Sequence, residues 1–281
     1  MSANKPLIAL VQEHLSGDMS ELPLFHSVAI RLQQTLARQE FSIDEVLELI
    51  CEDQSLAGKV LRVANSSFYA GLSKVATIKE AIVRLGAQEI ANVAMMASQL
   101  ETYRSTNEIL NTCMRALWGH AFSCAVGAKW LARKAGYHDI SSQAFMAGLL
   151  HDIGSLALLK VMDDITRRGE IRISLTNPLI DEILTTMHEE VGYNLMRSWS
   201  LPEAYATIAI QHHNAEFDPG NILLVVVRLS NEACRKVGKD IKEYPEISLI
   251  SSSEAQVLGV KEITLAELEI VVEDAGELDD M

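Results

Sequence analysis

The sequence predicts an all-α protein built as two helical lobes, the second of them a helical bundle. Three observations carry that prediction. Apolar residues recur at helical spacing along nearly the whole chain, and convincing strand alternation is hard to find. Helix start signals repeat, with Ser42/Glu45 and Thr77/Glu80 spaced as capping boxes and Asp53 placed as an N-cap. The 281 residues, 48% hydrophobic and 22% charged, are enough to bury a large core.

The first lobe takes in residues 1–105. A helix over residues 6–15 ends at Ser16-Gly17, and Leu22-Pro23 introduces an amphipathic helix, LFHSVAIRLQQTLARQ. Ser42 caps EVLELICED, with Glu45 reaching back. Asp53 caps SLAGKVLRVANSSF, in which Leu56, Val60, Val63 and Ala64 share a face. Thr77 and Glu80 start AIVRLG, and a longer helix runs from Gln88 to about Tyr103. Asn65, Ser66 and Ser67, followed by Phe68-Tyr69, read first as helix-ending turn residues, with a partner-facing ledge as the functional alternative. Met95, Met96, Met114 and Met146 read as fillers of core gaps.

The second lobe covers residues 106–240, and 241–281 form an extension with one helix and an acidic tail. Leu117, Ala121, Cys124, Ala128 and Leu131 make one helical face, and His120 lies on it. The apolar helical run FMAGLL leads into His151-Asp152, which the pattern places on the same helix, with Gly154 two residues on. Asn177-Pro178 opens a helix on which Leu184, Met187, His188, Val191 and Leu195 fall together. Pro202 starts a helix ending at Gln211-His212-His213. The next, from about Asn221 to Val237, carries Leu224, Val227, Asn231 and Cys234 on one stripe. Thr264 and Glu267 cap the last helix, before EDAGELDDM.

Composition narrows the function. A net charge of -14 argues against a nucleic-acid backbone as partner, because phosphate contacts need clustered Lys and Arg. No apolar run reaches the roughly 18 residues a membrane span requires, and the amino terminus lacks a signal-peptide core. Cys51, Cys113, Cys124 and Cys234 form no CxxC pair and read as reduced, small core residues. The expectation is a soluble, cytoplasmic protein.

Chemistry concentrates in the second lobe. A His-Asp pair among aliphatic residues must find partners if it is buried. Imidazole and carboxylate suit first-row divalent metals, whereas a hydrogen-bonded core histidine beside a helix-terminal aspartate is the plainer alternative. His120, His151, His188 and His212 all lie on apolar faces or helix ends, the arrangement by which helical bundles build metal sites. Asn231 stands inward where such a site would use an aspartate, and its neutral amide is the poorer ligand. Lys129, Arg133 and Lys160 are the nearest cations by sequence, and there is no P-loop or GxGxxG element.

These motifs resemble the HD superfamily, and more closely its HDOD (HD-related output domain) family of bacterial signalling proteins, over roughly residues 18 to 235. In the first lobe the resemblance rests on Leu22-Pro23, Asp53 with Leu56, Ala64-Asn65-Ser66, Phe68-Tyr69, Glu80-Ala81-Ile82 and Leu85-Gly86. In the second it rests on Trp118, His120, Ala147 through Gly154, His188 with Val191-Gly192, and Leu201-Pro202 leading to His212-His213. The resemblance implies an HD-like helical bundle. Catalytic HD proteins are metal-dependent phosphohydrolases. Their ligand pattern falls here on His120, His151, Asp152 and the position of Asn231, so three positions match and one does not. Ser155 stands where the HD-GYP phosphodiesterases carry a lysine, and no Gly-Tyr-Pro tripeptide occurs.

The function expected on these grounds is a non-catalytic signal-transduction module acting through protein contacts with signalling partners, around a degenerate HD metal site. No cofactor is then required. The alternative is a metal-dependent phosphohydrolase acting on a phosphoester or nucleotide. In that case iron, manganese, magnesium or zinc is held by His120, His151 and Asp152, with His188 and His212 assisting. A third reading is a pocket that binds a nucleotide without turnover.

Overall fold

A computed structural model describes residues 6–16, 24–38, 40–66, 68–69, 71, 73–99, 102–170, 175–241 and 247–275. Among them there is no strand, and the helices fall into two compact units. One holds α2 (Ser27–Leu36), α3 (Ile43–Cys51), α4 (Gln54–Ala64), α5 (Ile78–Leu85) and α6 (Ala87–Gln99). The other holds α1 (Leu7–Leu15), α7 (Glu108–Lys134), α8 (Ser141–Leu150), α9 (Ile153–Arg167), α10 (Asn177–Ser198), α11 (Glu203–Gln211), α12 (Ile222–Lys236), α13 (Ser253–Leu258) and α14 (Glu262–Asp274).

In the smaller unit the start signals do their expected work, with two changes. Ser42 Oγ accepts the N–H of Glu45 at 3.0 Å, but the Glu45 carboxylate pairs with Arg38 instead of reaching back. Thr77 Oγ1 accepts from Glu80, whose carboxylate takes the N–H of Ala76, one residue before the cap. Asp53 accepts from Leu56 at 2.7 Å and also faces His26 Nε2 at 3.0 Å, and His26 itself caps α2. The Leu22-Pro23 signal and Ser67 lie outside the described residues. Ile90, Val93, Met95 and Met96 of α6 are fully buried, so the methionines fill the core. This helix ends at Gln99, short of Tyr103, which belongs to the other unit.

Asn65 shows what its motif is for. Its side-chain amide donates to the carbonyls of Leu61 and Val75, and its Oδ1 accepts from the N–H of Val75, each at 2.9 Å. One side chain thus ends α4 and pins a residue ten positions on, which supports the turn reading over the ledge.

In the larger unit α8, α9, α12 and α14 all pack on α7, while α10 packs on α9 and α11, and α1 lies against α9. Two glycines set the closest approaches. A Cβ on Gly148 would lie 2.8 Å from Ala125 Cα, so α8 meets α7 backbone to backbone. A Cβ on Gly154 would lie 2.6 Å from the backbone nitrogen of Gly192 and overlap the His188 carbonyl oxygen, so α9 meets α10 in the same way. These glycines flank His151-Asp152 and draw in the helices that carry His120 and His188. Residues 138–167 are apolar enough to cross a membrane by composition, but 89% of the relevant window is packed inside the protein, which explains the composition.

Three expectations need correction. The His-Asp pair is not within a helix: His151 ends α8 and Asp152, at φ −104° and ψ 20°, begins α9. The last helix starts two residues before Thr264, at Glu262, because the Thr264 N–H already bonds to the Lys261 carbonyl, and Glu267 pairs with Lys134. Cys51 is exposed rather than in the core, although all four cysteines are free.

Candidate metal centre

His120 comes from the middle of α7, His151 and Asp152 from the α8–α9 turn, His188 from α10, and His212 and His213 from the turn that ends α11. His120, His151, His188 and His212 are buried, at 1%, 1%, 8% and 3% exposure. Each is oriented from behind by a main-chain carbonyl. His120 Nδ1 donates to Lys239 O at 2.6 Å, His151 Nδ1 to Gly148 O at 2.7 Å, His188 Nδ1 to Leu184 O at 2.8 Å, and His212 Nδ1 to Ala209 O at 2.9 Å. A carbonyl oxygen can only accept, so in each neutral imidazole the hydrogen is on Nδ1 and Nε2 presents a lone pair.

Those four lone pairs converge on one carboxylate. Asp152 Oδ2 lies 3.4 Å from His120 Nε2 and 3.3 Å from His151 Nε2. Its Oδ1 lies 3.5 Å from His188 Nε2 and 3.3 Å from His212 Nε2. Within the pairs, His120 and His151 approach to 3.2 Å between Nε2 atoms, and His188 and His212 to 3.4 Å. Acceptors therefore face acceptors, and something positive must stand between them. The donors sort into two groups that share Asp152: His120 with His151, and His188 with His212 and His213. Second nitrogens fixed by carbonyls are the usual support of metal-bound histidine. The residues present fit divalent metal, one carboxylate oxygen serving each group.

Without metal the positive charge has to be protons. Burial works to lower the pKa values of His120 and His151, but the Asp152 carboxylate, joined by Asp240 at His120 and by the Cys124 sulfur at His151, overrides it and raises both, His151 well above the ordinary imidazole range. Asp152 is held well below the usual carboxylate range: burial opposes this and its histidine neighbours prevail. Burial wins at His212, which is pulled down to about 4. His213 is pushed down by burial, by His212 and by the Arg235 cation, and its Nε2 accepts from Arg235 Nη2 at 3.0 Å.

A cleft of about 460 Å³ opens beside the cluster, its wall including Asp152, Ser155, Thr185, His188, His213 and Arg235. Arg235 also pairs with Asp240 at 3.1 Å. It is the cation that reading along the chain missed. Lys129 lies over the Phe145 ring, Arg133 donates to Ser141 and Lys160 donates to the Arg104 carbonyl. Arg235 is separated from the His-Asp pair by over 80 positions, and only the position of α12 beside α11 brings it there. Asn231 on α12 is 2% exposed, and its Oδ1 has no hydrogen-bond partner among the described residues.

Residues 22–215 match the sequence model of the HDOD domain. An uncharacterised protein of Treponema pallidum (strain Nichols) is 23% identical over 209 residues; the match spans 73% of this chain and 40% of that longer relative. Among solved structures, an HDOD domain protein of unknown function from Geobacter sulfurreducens superposes with a TM-score of 0.74 at 22% identity, covering 98% of both chains. A Shewanella amazonensis SB2B protein assigned provisionally to the metal-dependent phosphohydrolases gives 0.68 at 19% identity, covering 99% of this chain and 100% of that one. A Marinobacter aquaeolei VT8 protein assigned provisionally to signal transduction gives 0.69 at 21% identity, over 99% of this chain and 66% of that one. At these identities the superpositions establish the all-α fold.

Proposed function

The chain belongs to the HDOD family, and from that premise we propose that it is a cytoplasmic signalling module whose His-Asp centre holds divalent metal and whose cleft takes a phosphate-bearing ligand, the output passing through protein contacts. One observation carries the reading: four oriented histidine lone pairs converge on the two oxygens of Asp152 with no donor among them. His120, His151 and Asp152 would hold one ion, and His188, His212 and Asp152 another, with His213 at its edge. Metal bound there supplies Lewis-acid polarisation of a phosphate oxygen and of water. Arg235, held in the wall of the same cleft by Asp240, is the cation placed to orient a phosphate. The signalling role draws support from the Marinobacter neighbour, and the reducing compartment from four free thiols.

Hydrolysis of a phosphoester is the second reading, favoured by the opening of the cleft directly onto Asp152 and His188 and by the Shewanella neighbour. Elemental analysis of protein purified without chelator, beside His151→Ala and Asp152→Ala, tests the shared premise. One or two ions per chain, lost in both variants, supports the centre; a metal-free protein that stays folded in chelator refutes it. A phosphoester screen on the loaded protein then separates the two: saturable binding without turnover favours the module, and turnover abolished by Asp152→Ala favours the enzyme.

A further inference from the structure

Arg228 of α12 is 9% exposed, and its hydrogen bonds go to the main chain that carries His212 and His213. Its Nη1 donates to the carbonyls of Gln211, His212 and Asn214 at 3.1, 3.0 and 2.8 Å, and its guanidinium lies 4.4 Å from the centre of the Phe217 ring. Those carbonyls belong to the last turn of α11 and the residues after it, where C=O groups run out of i+4 helical donors, the Gln211 carbonyl also taking the N–H of Asn214. The charge is balanced by Glu254, 3% exposed, whose Oε1 accepts from Arg228 Nε at 2.6 Å. Glu254 comes from α13, beyond the residues that match the HDOD domain. A buried arginine needs its counter-ion, so the extension holds Arg228 and Arg228 holds the turn.

We propose that Arg228, fixed by Glu254, is a positioning residue for His212, so that the extension after residue 240 sets how tightly the His188–His212 half of the centre holds its ion. The His120–His151 half is oriented by other carbonyls, those of Lys239 and Gly148, and shares Asp152 with the first. The proposal rests on the metal-centre reading, and its test separates the two failures.

Manganese titration by calorimetry of full-length wild type and Glu254→Gln is the direct measurement. The expected result is one ion weakened about tenfold and the other unchanged, as for other outer-shell losses. A folded variant in which both ions keep their affinity, or both weaken alike, overturns the proposal, because a merely structural role predicts one of those outcomes. Should Glu254→Gln not fold, Arg228→Lys keeps the buried charge but has a single nitrogen, which cannot reach Glu254 and the carbonyls together, and the same split is expected. If wild type binds no manganese, the metal reading fails, and imidazole ¹H–¹⁵N correlations of the metal-free protein decide instead. A His212 signal moved by the substitution with His120 unmoved supports positioning; an unmoved His212 signal overturns it.

Discussion

Substituting Gly154 by alanine puts the construction of the centre to a quantitative test. In an open helical site the change gains about 1 kcal/mol from lower backbone entropy in the unfolded chain and better helix propensity. At Gly154 the new methyl would lie 2.6 Å from the Gly192 nitrogen, where ordinary contact begins at 3.4 Å, and would overlap the His188 carbonyl oxygen. Both obstacles are backbone, so α9 and α10 must part by at least about 0.8 Å. Overpacking of this kind costs roughly 3 kcal/mol, the upper end of its usual range. The clash exceeds the propensity gain, leaving a net loss of roughly 2 kcal/mol, or about 4–8 °C in melting temperature. The displacement also exceeds the ~0.5 Å within which ligand geometry must be held. His188 should therefore withdraw from Asp152 and one ion weaken at least about tenfold. Gly58 serves as the control: it is exposed in the middle of α4 with nothing within 4 Å of a Cβ, and Gly58→Ala should gain the ~1 kcal/mol. Thermal melts by circular dichroism and metal calorimetry on both variants are sufficient. A Gly154→Ala protein that melts as high as Gly58→Ala and keeps both ions would refute the close-approach argument.

Two further outcomes are expected. Metal binding should weaken on acidification, because His120 and His151 have raised pKa values in the free protein and must lose protons to become ligands. Each proton expelled makes the apparent affinity fall roughly tenfold per pH unit below the raised pKa. His212, already neutral down to about 4, adds no such proton near neutrality, so calorimetry across about pH 8 to pH 6 should show the ions separating in affinity; parallel curves would contradict the assignment. Asn65→Ala removes three hydrogen bonds and should lower stability by about 2–3 kcal/mol in urea unfolding while leaving metal affinity unchanged.

How much of this was legible in the sequence follows from how local each signal is. Periodicity and caps are local, and they locate α3, α4, α5, α10 and α12 closely. Glu45 matches a capping box by spacing, but an arginine seven residues earlier competes for its carboxylate, and no local rule decides that contest. At α14 the apolar pattern begins before the best-looking cap, and packing of Leu265 and Leu268 in the core extends the helix toward its start. The histidines are legible because each stands out on an apolar face. Their support is not: Lys239, Arg228, Arg235 and Glu254 are polar residues in unremarkable surroundings, and they matter only because α12 and α13 pack beside the turn after α11.

The position of Asn231 bears differently on the site once its geometry is known. By sequence, an amide where catalytic relatives have a carboxylate leaves the ligand set one short. Within the fold, Asp152 offers one oxygen to each pair of histidines, so coordination does not depend on a second aspartate. What the asparagine changes is charge. On the proposed reading, two dications would share the single coordinating carboxylate of Asp152 among neutral imidazoles, while Arg235 in the cleft wall is already paired with Asp240. A second aspartate would offset one of those charges. Its absence strengthens attraction for a phosphate-bearing anion and opposes release of any phosphate formed. Tight capture with slow release suits a ligand sensor better than a rapidly cycling hydrolase. The same amide that makes the catalytic set look incomplete is therefore a reason to expect a signalling role.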